Sequence, residues 1–172
     1  MRTIRAANAN DVDLIAALGR QTYREHFAHL WTETGLQRFF GEHFDRPRLE
    51  RELFSGGDVR YVLAFADEQP VGFAKMNHDR PLPAGEGARG LELQKIYFTK
   101  AAAGRGHGGA LLAYVIALAE QLRAPLLWLD VLQSNQRAVR FYEHHGFVRH
   151  GEVSFSTDTQ VMGMWVMRRA LG

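Results

Sequence analysis

Residues 91–132 hold the pattern that most restricts the fold. An apolar-rich run, LELQKIYF, leads into TKAAAGRGHGGALL, where four glycines occupy six positions, and an apolar helical period and the continuous apolar run PLLWLDVL follow. A helix over about 106–122 presents Leu111, Val115, Leu118 and Leu122 on one side and Leu112, Ile116 and Ala119 on another. Two apolar rows require a mostly buried helix, and an uninterrupted apolar strand belongs inside a sheet. Strand, buried helix and interior strand make one strand-helix-strand unit, so the chain is α/β.

The flanking segments supply antiparallel elements. Residues 3–7 read as a strand, and Asn10 is placed to cap a helix carrying Val12, Ile15, Leu18 and Tyr23. Gly35, Gly41 and Pro47 break residues 32–54 into two short helices, with Pro47 in the first turn of the second. RYVLAFADEQPVGFAKMN predicts a hairpin turning over about four residues, Asp67 to Pro70, and HDRPLPAGEGARG predicts an exposed loop. SNQRAVRFYEHHGF predicts a helix from Ser134, the expected cap, to Gly146, and strands over 147–155 and 161–168 close the chain as a hairpin. The expected order is β-α-α-β-β-β-α-β-α-β-β, a mixed, mostly antiparallel sheet of about seven strands flanked by about four helices. One domain over residues 1–172 accommodates it.

Backbone N–H groups at a helix start lack intrahelical partners and sit at the positive end of the helix dipole. A loop lined by Gly104, Gly106, Gly108 and Gly109 is therefore suited to phosphate, with Arg105 and His107 able to add positive charge at its rim. A tightly packed turn is the plain alternative. Gly104, Gly106 and Gly109 also match G-x-G-x-x-G, and Asp130 follows at the spacing of a ribose-binding acid. Against a dinucleotide site, Thr99–Ala103 separate the strand from the first glycine, and the residues after Asp130 hold only one helix and a hairpin.

Composition narrows the partners. With 21 Lys and Arg against 19 Asp and Glu, a net charge of +2 gives nucleic acid or an anionic membrane no strong general attraction. The absence of cysteine removes disulfides, thiolate metal sites and cysteine nucleophiles. The opening MRTIRAANANDVD has no signal-peptide core, and no apolar stretch approaches bilayer length, so a cytoplasmic location is expected. Histidines at 26 and 29 and at 144 and 145 lack a coherent further ligand set, so no metal is expected.

These segments resemble the GNAT acyl-CoA N-acyltransferases. LQKIYFTKAAAGRGHGGALL is similar to the family's strand, Q/R-x-x-G-x-G/A loop and helix, and SNQRAVRFYEHHGF to its second hallmark, an Asn before a helix ending near F-Y-x-x-x-G-F. The resemblance implies a GNAT-type fold and acetyl-CoA as co-substrate, its pyrophosphate at Gly104, Arg105, Gly106, His107, Gly108 and Gly109. Ala103 departs from the family's usual Gln or Arg, which removes one side-chain contact and leaves the backbone cradle. More loosely, RQTYREHF, LQRFFGEHF, LELQKIYF and FSTDTQVMGMWVMRRAL resemble PaiA-like polyamine or diamine acetyltransferases, implying a small primary amine such as spermidine as acceptor, with aminoglycosides, amino acids and protein N-termini as the alternatives.

Acetyl transfer to an amine needs an uncharged nucleophile. Glu92 is the candidate general base, with an ordinary solvent-facing strand carboxylate as the alternative. The resemblance places the pantetheine arm and a backbone oxyanion donor within Ile96, Tyr97 and Phe98, and the acid that protonates the departing thiolate at Tyr142, which could instead simply pack. It also brings Asn135 near the cofactor arm, where helix capping is the alternative. Asp130 either attracts a cationic amine or ends a strand. Tyr23, Phe27, Trp31, Phe39, Phe40 and Phe44 read mainly as core. A non-catalytic acyl-CoA sensor is the competing class, and the oligomeric state, a homodimer included, stays open.

Overall fold

The computed structural model describes residues 1–172. Strands β1 (Arg2–Ala6), β2 (Val59–Ala66), β3 (Gln69–Pro81), β4 (Arg89–Phe98), β5 (Leu126–Leu132), β6 (Val148–Ser156) and β7 (Val161–Ala170) form one sheet in the order β1-β2-β3-β4-β5-β7-β6. Only β4 and β5 run parallel, and α4 (His107–Gln121) links them. The other helices are α1 (Val12–Phe27), α2 (Glu33–His43), α3 (Arg46–Phe54) and α5 (Gln136–His144). The break predicted within 32–54 falls at Asp45, whose side chain caps α3 ahead of Pro47. None of the helices is long and apolar enough to cross a membrane.

Several boundaries differ from the sequence reading. Asn8, rather than Asn10, provides the capping box: its side chain accepts from the Asn10 N–H, and Asp11 reaches back to the Asn8 N–H. Asn135, rather than Ser134, caps α5. The β2–β3 turn is only Asp67-Glu68, with φ of 47° and 67°, the mirror-image turn that suits strand twist. The Pro/Gly-rich segment is a loop only over 82–88, because β3 runs to Pro81 and β4 begins at Arg89.

Each sheet face carries its own core. On one face α4 and α5 bury Leu111, Leu112, Val115, Val139 and Tyr142 against Leu91, Leu93, Leu127 and Leu129. On the other, α1, α2 and α3 bury Ile15, Phe39, Phe44 and Leu49 against Leu63 and Phe73. There the ring of Phe44 lies so close to Gly19 that a Cβ would fall 2.4 Å from it. A smaller cluster of Leu82, Leu126, Trp128 and Val166 covers the far part of this second face. The β6–β7 turn is clasped to the helical layer: Asp158 accepts from the N–H and hydroxyl of Thr32, and the Thr159 hydroxyl donates to the Leu30 carbonyl.

Between the two clusters of the second face the sheet turns polar. Lys75 and Lys95 are directly opposite one another on β3 and β4, and both are buried. Lys75 pairs with Glu52 at 3.0 Å, and Glu52 also holds Arg48 and the Tyr61 hydroxyl. Lys95 has no carboxylate; its ammonium reaches His43 Nδ1 at 3.1 Å and lies 5.7 Å from the Phe44 ring centre. Burial first, and the charge of Lys75 second, lower its pKa to about 7.

An unfolded lysine keeps its proton up to about pH 10.5, so the folded chain releases the Lys95 proton first. The penalty of burying this charge is complete below pH 7 and fades as pH rises toward 10.5. Lys95→Met should therefore stabilise the protein by roughly 2 kcal/mol or more at pH 6. The gain should shrink steadily to pH 10 in urea denaturation.

Candidate active site

The bulge on β4 creates the site. Opposite β3, Met76 pairs with Leu93 and Lys75 with Lys95, so Gln94 is an extra residue and the strand bends there. On its other side, β4 pairs with β5 only at Leu91–Leu127 and Glu92–Trp128. Past those pairs the strands part, while β4 stays bonded to β3 through Phe98 and β5 to β7 through Leu132. The edges of β4 and β5 that face each other have no strand partner across the wedge, so their backbone groups can serve an extended ligand.

Ile96, Tyr97 and Phe98 form one lip of this wedge. Ile96 and Phe98 face the α4 core, and Tyr97 packs among Tyr23, Phe27 and Phe73. The Phe98 carbonyl accepts from His26 Nε2 at 2.8 Å, which gives His26 a structural role at the strand end. Tyr142 approaches from α5. Burial alone raises its pKa, with no hydrogen-bonded or charged protein group contributing. Its phenol is near enough to Tyr97 to help raise the pKa of that residue as well, after burial and Tyr23.

The glycine loop continues directly from that lip. Gly104 and Gly106 both have φ of 76°, a region open to glycine and strained for other residues. Gly106 is the N-cap of α4 and offers no side chain, so the first N–H groups of this 15-residue helix remain uncapped. Gly108 lies beside Phe141 of α5, where a Cβ would make an ordinary contact at 3.6 Å from the ring. Arg105 is exposed at the rim of the loop. The surroundings of His107 disfavour a charge there. Its ring is buried, its Nδ1 accepts from Arg2 Nε at 3.2 Å, and burial together with Arg2 and Arg105 lowers its pKa.

Asn135 spends its side-chain oxygen on the Ala138 N–H at 3.2 Å, the capping alternative, and lies exposed at the start of α5. Glu92 faces the polar side of the sheet. Its carboxylate accepts from Asn77 Nδ2 at 2.8 Å and opens into a cavity of about 430 Å³, with Arg48, Lys75, Arg80, Gln94 and Trp128 also in its wall. Asp130 lies on the same face, two residues beyond Trp128. Although it keeps solvent contact, the protein crowded around its carboxyl raises the pKa to about 6, and the charge of Glu92 adds to the rise.

The buried polar group around Lys75 and Lys95 was not anticipated. Its signal was present in the sequence: a lysine in an inward register of VGFAKMN and another in LELQKIYF, each among apolar neighbours.

The sequence model of the acetyltransferase (GNAT) family matches residues 20–147. An uncharacterized N-acetyltransferase of Mycobacterium tuberculosis is 39% identical over 171 residues, covering 94% of this chain and 98% of the relative. Another, from Lactobacillus delbrueckii subsp. lactis, is 24% identical over 99% of both chains. Among solved structures, the PaiA N-acetyltransferase of Thermoplasma acidophilum in complex with coenzyme A superposes with a TM-score of 0.80 at 18% identity, over 99% of each chain. The seven-stranded sheet parted between β4 and β5, the uncapped glycine entrance to α4 and these matches agree: this chain belongs to the acetyltransferase (GNAT) family.

Proposed function

We propose that the protein, an acetyl-CoA-dependent N-acetyltransferase, passes the acetyl group directly to the primary amine of a small molecule in a ternary complex. The observation that carries this reading is the junction of two openings at the end of β4. An uncapped helix start is suited to a pyrophosphate, and beside it an unpaired strand edge is suited to the amide-bearing arm of the same coenzyme. The Thermoplasma relative was solved with coenzyme A, which supports the assignment. In this reading Gly104–Gly109 receive the pyrophosphate, Ile96–Phe98 align the arm, and the free amide nitrogen of Asn135 faces the cofactor side.

The amine enters from the cavity on the opposite face. Glu92 in the cavity wall and Asp130, outside that wall on the same face, form the basic pair, and one of them takes the ammonium proton, directly or through water. The amine nitrogen then bonds to the thioester carbon, a backbone N–H within Ile96–Phe98 stabilises the oxyanion, and the carbon–sulfur bond breaks. Tyr142 gives its proton to the departing thiolate, and the second proton of the attacking nitrogen, lost as the amide forms, restores the phenol through solvent. The phenol is protonated at neutral pH already; burial, which raises its pKa, makes it a weaker acid, so the transfer relies on its position beside the departing sulfur. A polyamine such as spermidine, implied by the looser resemblance, would find Glu92 and Asp130 attractive. It would also meet Arg48, Lys75 and Arg80, which argues for a different acceptor.

Tyr142→Phe removes a hydroxyl without a protein partner, so stability should change by less than about 0.5 kcal/mol while kcat falls on the order of a hundredfold. Thermal unfolding and a thiol-release assay measure the two effects. Activity should fall on the acid side of about pH 6, where Asp130 gains a proton, and Asp130→Asn should move that limb of the pH–rate profile to lower pH. Gly106→Ala should weaken acetyl-CoA binding about tenfold in calorimetric titration, since the methyl group strains a φ of 76° at the helix entrance. Undiminished affinity would remove this entrance from the cofactor site.

A further inference from the structure

The charges in the acceptor cavity are unevenly compensated. Glu52 is fully engaged by Lys75, Arg48 and the Tyr61 hydroxyl, so its charge is satisfied within the protein. Glu92 has only the neutral amide of Asn77. It is the one carboxylate of the cavity wall without a cation in ion-pair contact; Asp130, near it on the same face, lies outside that wall. Among the cations, Lys75 is committed to Glu52, and Arg48 uses Nε for Glu52 and Nη1 for the Glu42 carbonyl. Arg80 has no carboxylate partner. The adjacent acid, Asp79, is paired with Arg89 at 2.8 Å. The cavity thus offers one unpaired carboxylate at the reacting end, by the β4 bulge, and one unpaired guanidinium at its rim.

We propose that the acceptor is a zwitterion, an amine seated at Glu92 whose own carboxylate, or another planar anion, is bound by Arg80 and the remaining Nη2 of Arg48. The proposal rests on the acetyl-transfer reading of this site and adds the class of substrate. Guanidinium groups match carboxylates in a two-point geometry that an ammonium cannot supply, and this pairing holds a small acceptor by its far end. A plain diamine fits worse, because its second ammonium would lie among Arg80, Arg48 and Lys75 with only a compensated carboxylate between them. A cavity of about 430 Å³ has room for an amino-acid-sized molecule. Trp128, on its floor, contributes an apolar wall and donates Nε1 toward the Arg80 carbonyl.

The test compares L-amino acids with their C-terminal amides, which differ by one negative charge, with putrescine and spermidine as purely cationic acceptors. Thiol release measures turnover, and calorimetry of the same compounds into coenzyme A-saturated protein measures binding. At least one amino acid is expected to exceed its amide tenfold or more in kcat/KM. Arg80→Gln should abolish that advantage mainly by raising KM, while Arg20→Gln, at an exposed position on α1, should preserve it. Equal use of acids and amides, preference for the diamines, or an Arg80→Gln variant that keeps the advantage would overturn the zwitterion site while leaving acetyl transfer intact. Arg80-dependent binding of an amino acid without coenzyme A release would support the zwitterion site and remove the transfer reading. Absence of both binding and turnover for every anion-bearing amine would overturn the proposal.

Discussion

One inserted residue organises the catalytic half of this protein. Gln94 has no opposite number on β3, and the bend it causes ends the β4–β5 ladder after two residue pairs. A parallel pair at the centre of a sheet would ordinarily satisfy its backbone groups along its whole length. Here that satisfaction is withheld along the line that joins the glycine entrance of α4 to the polar cavity. In the proposed reading the cofactor side and the acceptor side belong to opposite faces of the sheet, and the gap between strands is where they meet. Tyr97 and Tyr142 approach that gap from the two cores.

The cores on either side explain why the gap is stable. Leu111, Leu112 and Val115 anchor α4 on one face, and Phe44, Phe73 and Ile15 anchor the helical layer on the other, so neither strand depends on the missing ladder for its position. The polar interval on the second face has a different logic. Lys75 and Lys95 are embedded where a larger apolar core would be more stable, and only one of them has a counter-charge. Local positive potential at that place favours an anion, at the expense of stability near neutral pH.

Much of this was legible from the sequence because it depends on local rules. Strand, glycine loop and two-sided apolar helix identify the β4–α4–β5 unit, and the glycines at 104 and 106 occupy the backbone conformation that only they adopt readily. Helix caps were harder. Asn8 and Asn10 are chemically identical candidates, and a three-residue turn preceding α1 decides between them. The ends of the segment 78–90 misled because Pro and Gly signal turns, whereas β3 resumes pairing with β4 at Arg80 and Pro81 after an irregularity at His78 and Asp79. The surroundings of His107 were not legible because Arg2, 105 residues away, determines them. The charge balance of the cavity was illegible for the same reason, since Arg48, Lys75, Arg80 and Glu92 come together only through sheet register and helix packing.

The clasp between Thr32 and Asp158 carries a kinetic implication. These residues are 126 positions apart, and the Thr159–Leu30 contact spans almost the same distance. Closing so large a loop has a high entropic barrier, and contacts of this separation form late along a folding route. The α4 unit can assemble from neighbouring segments, whereas the wall joining the last hairpin to α2 must wait until nearly the whole polypeptide has emerged. Nascent chains would acquire their coenzyme-side framework before their acceptor-side enclosure.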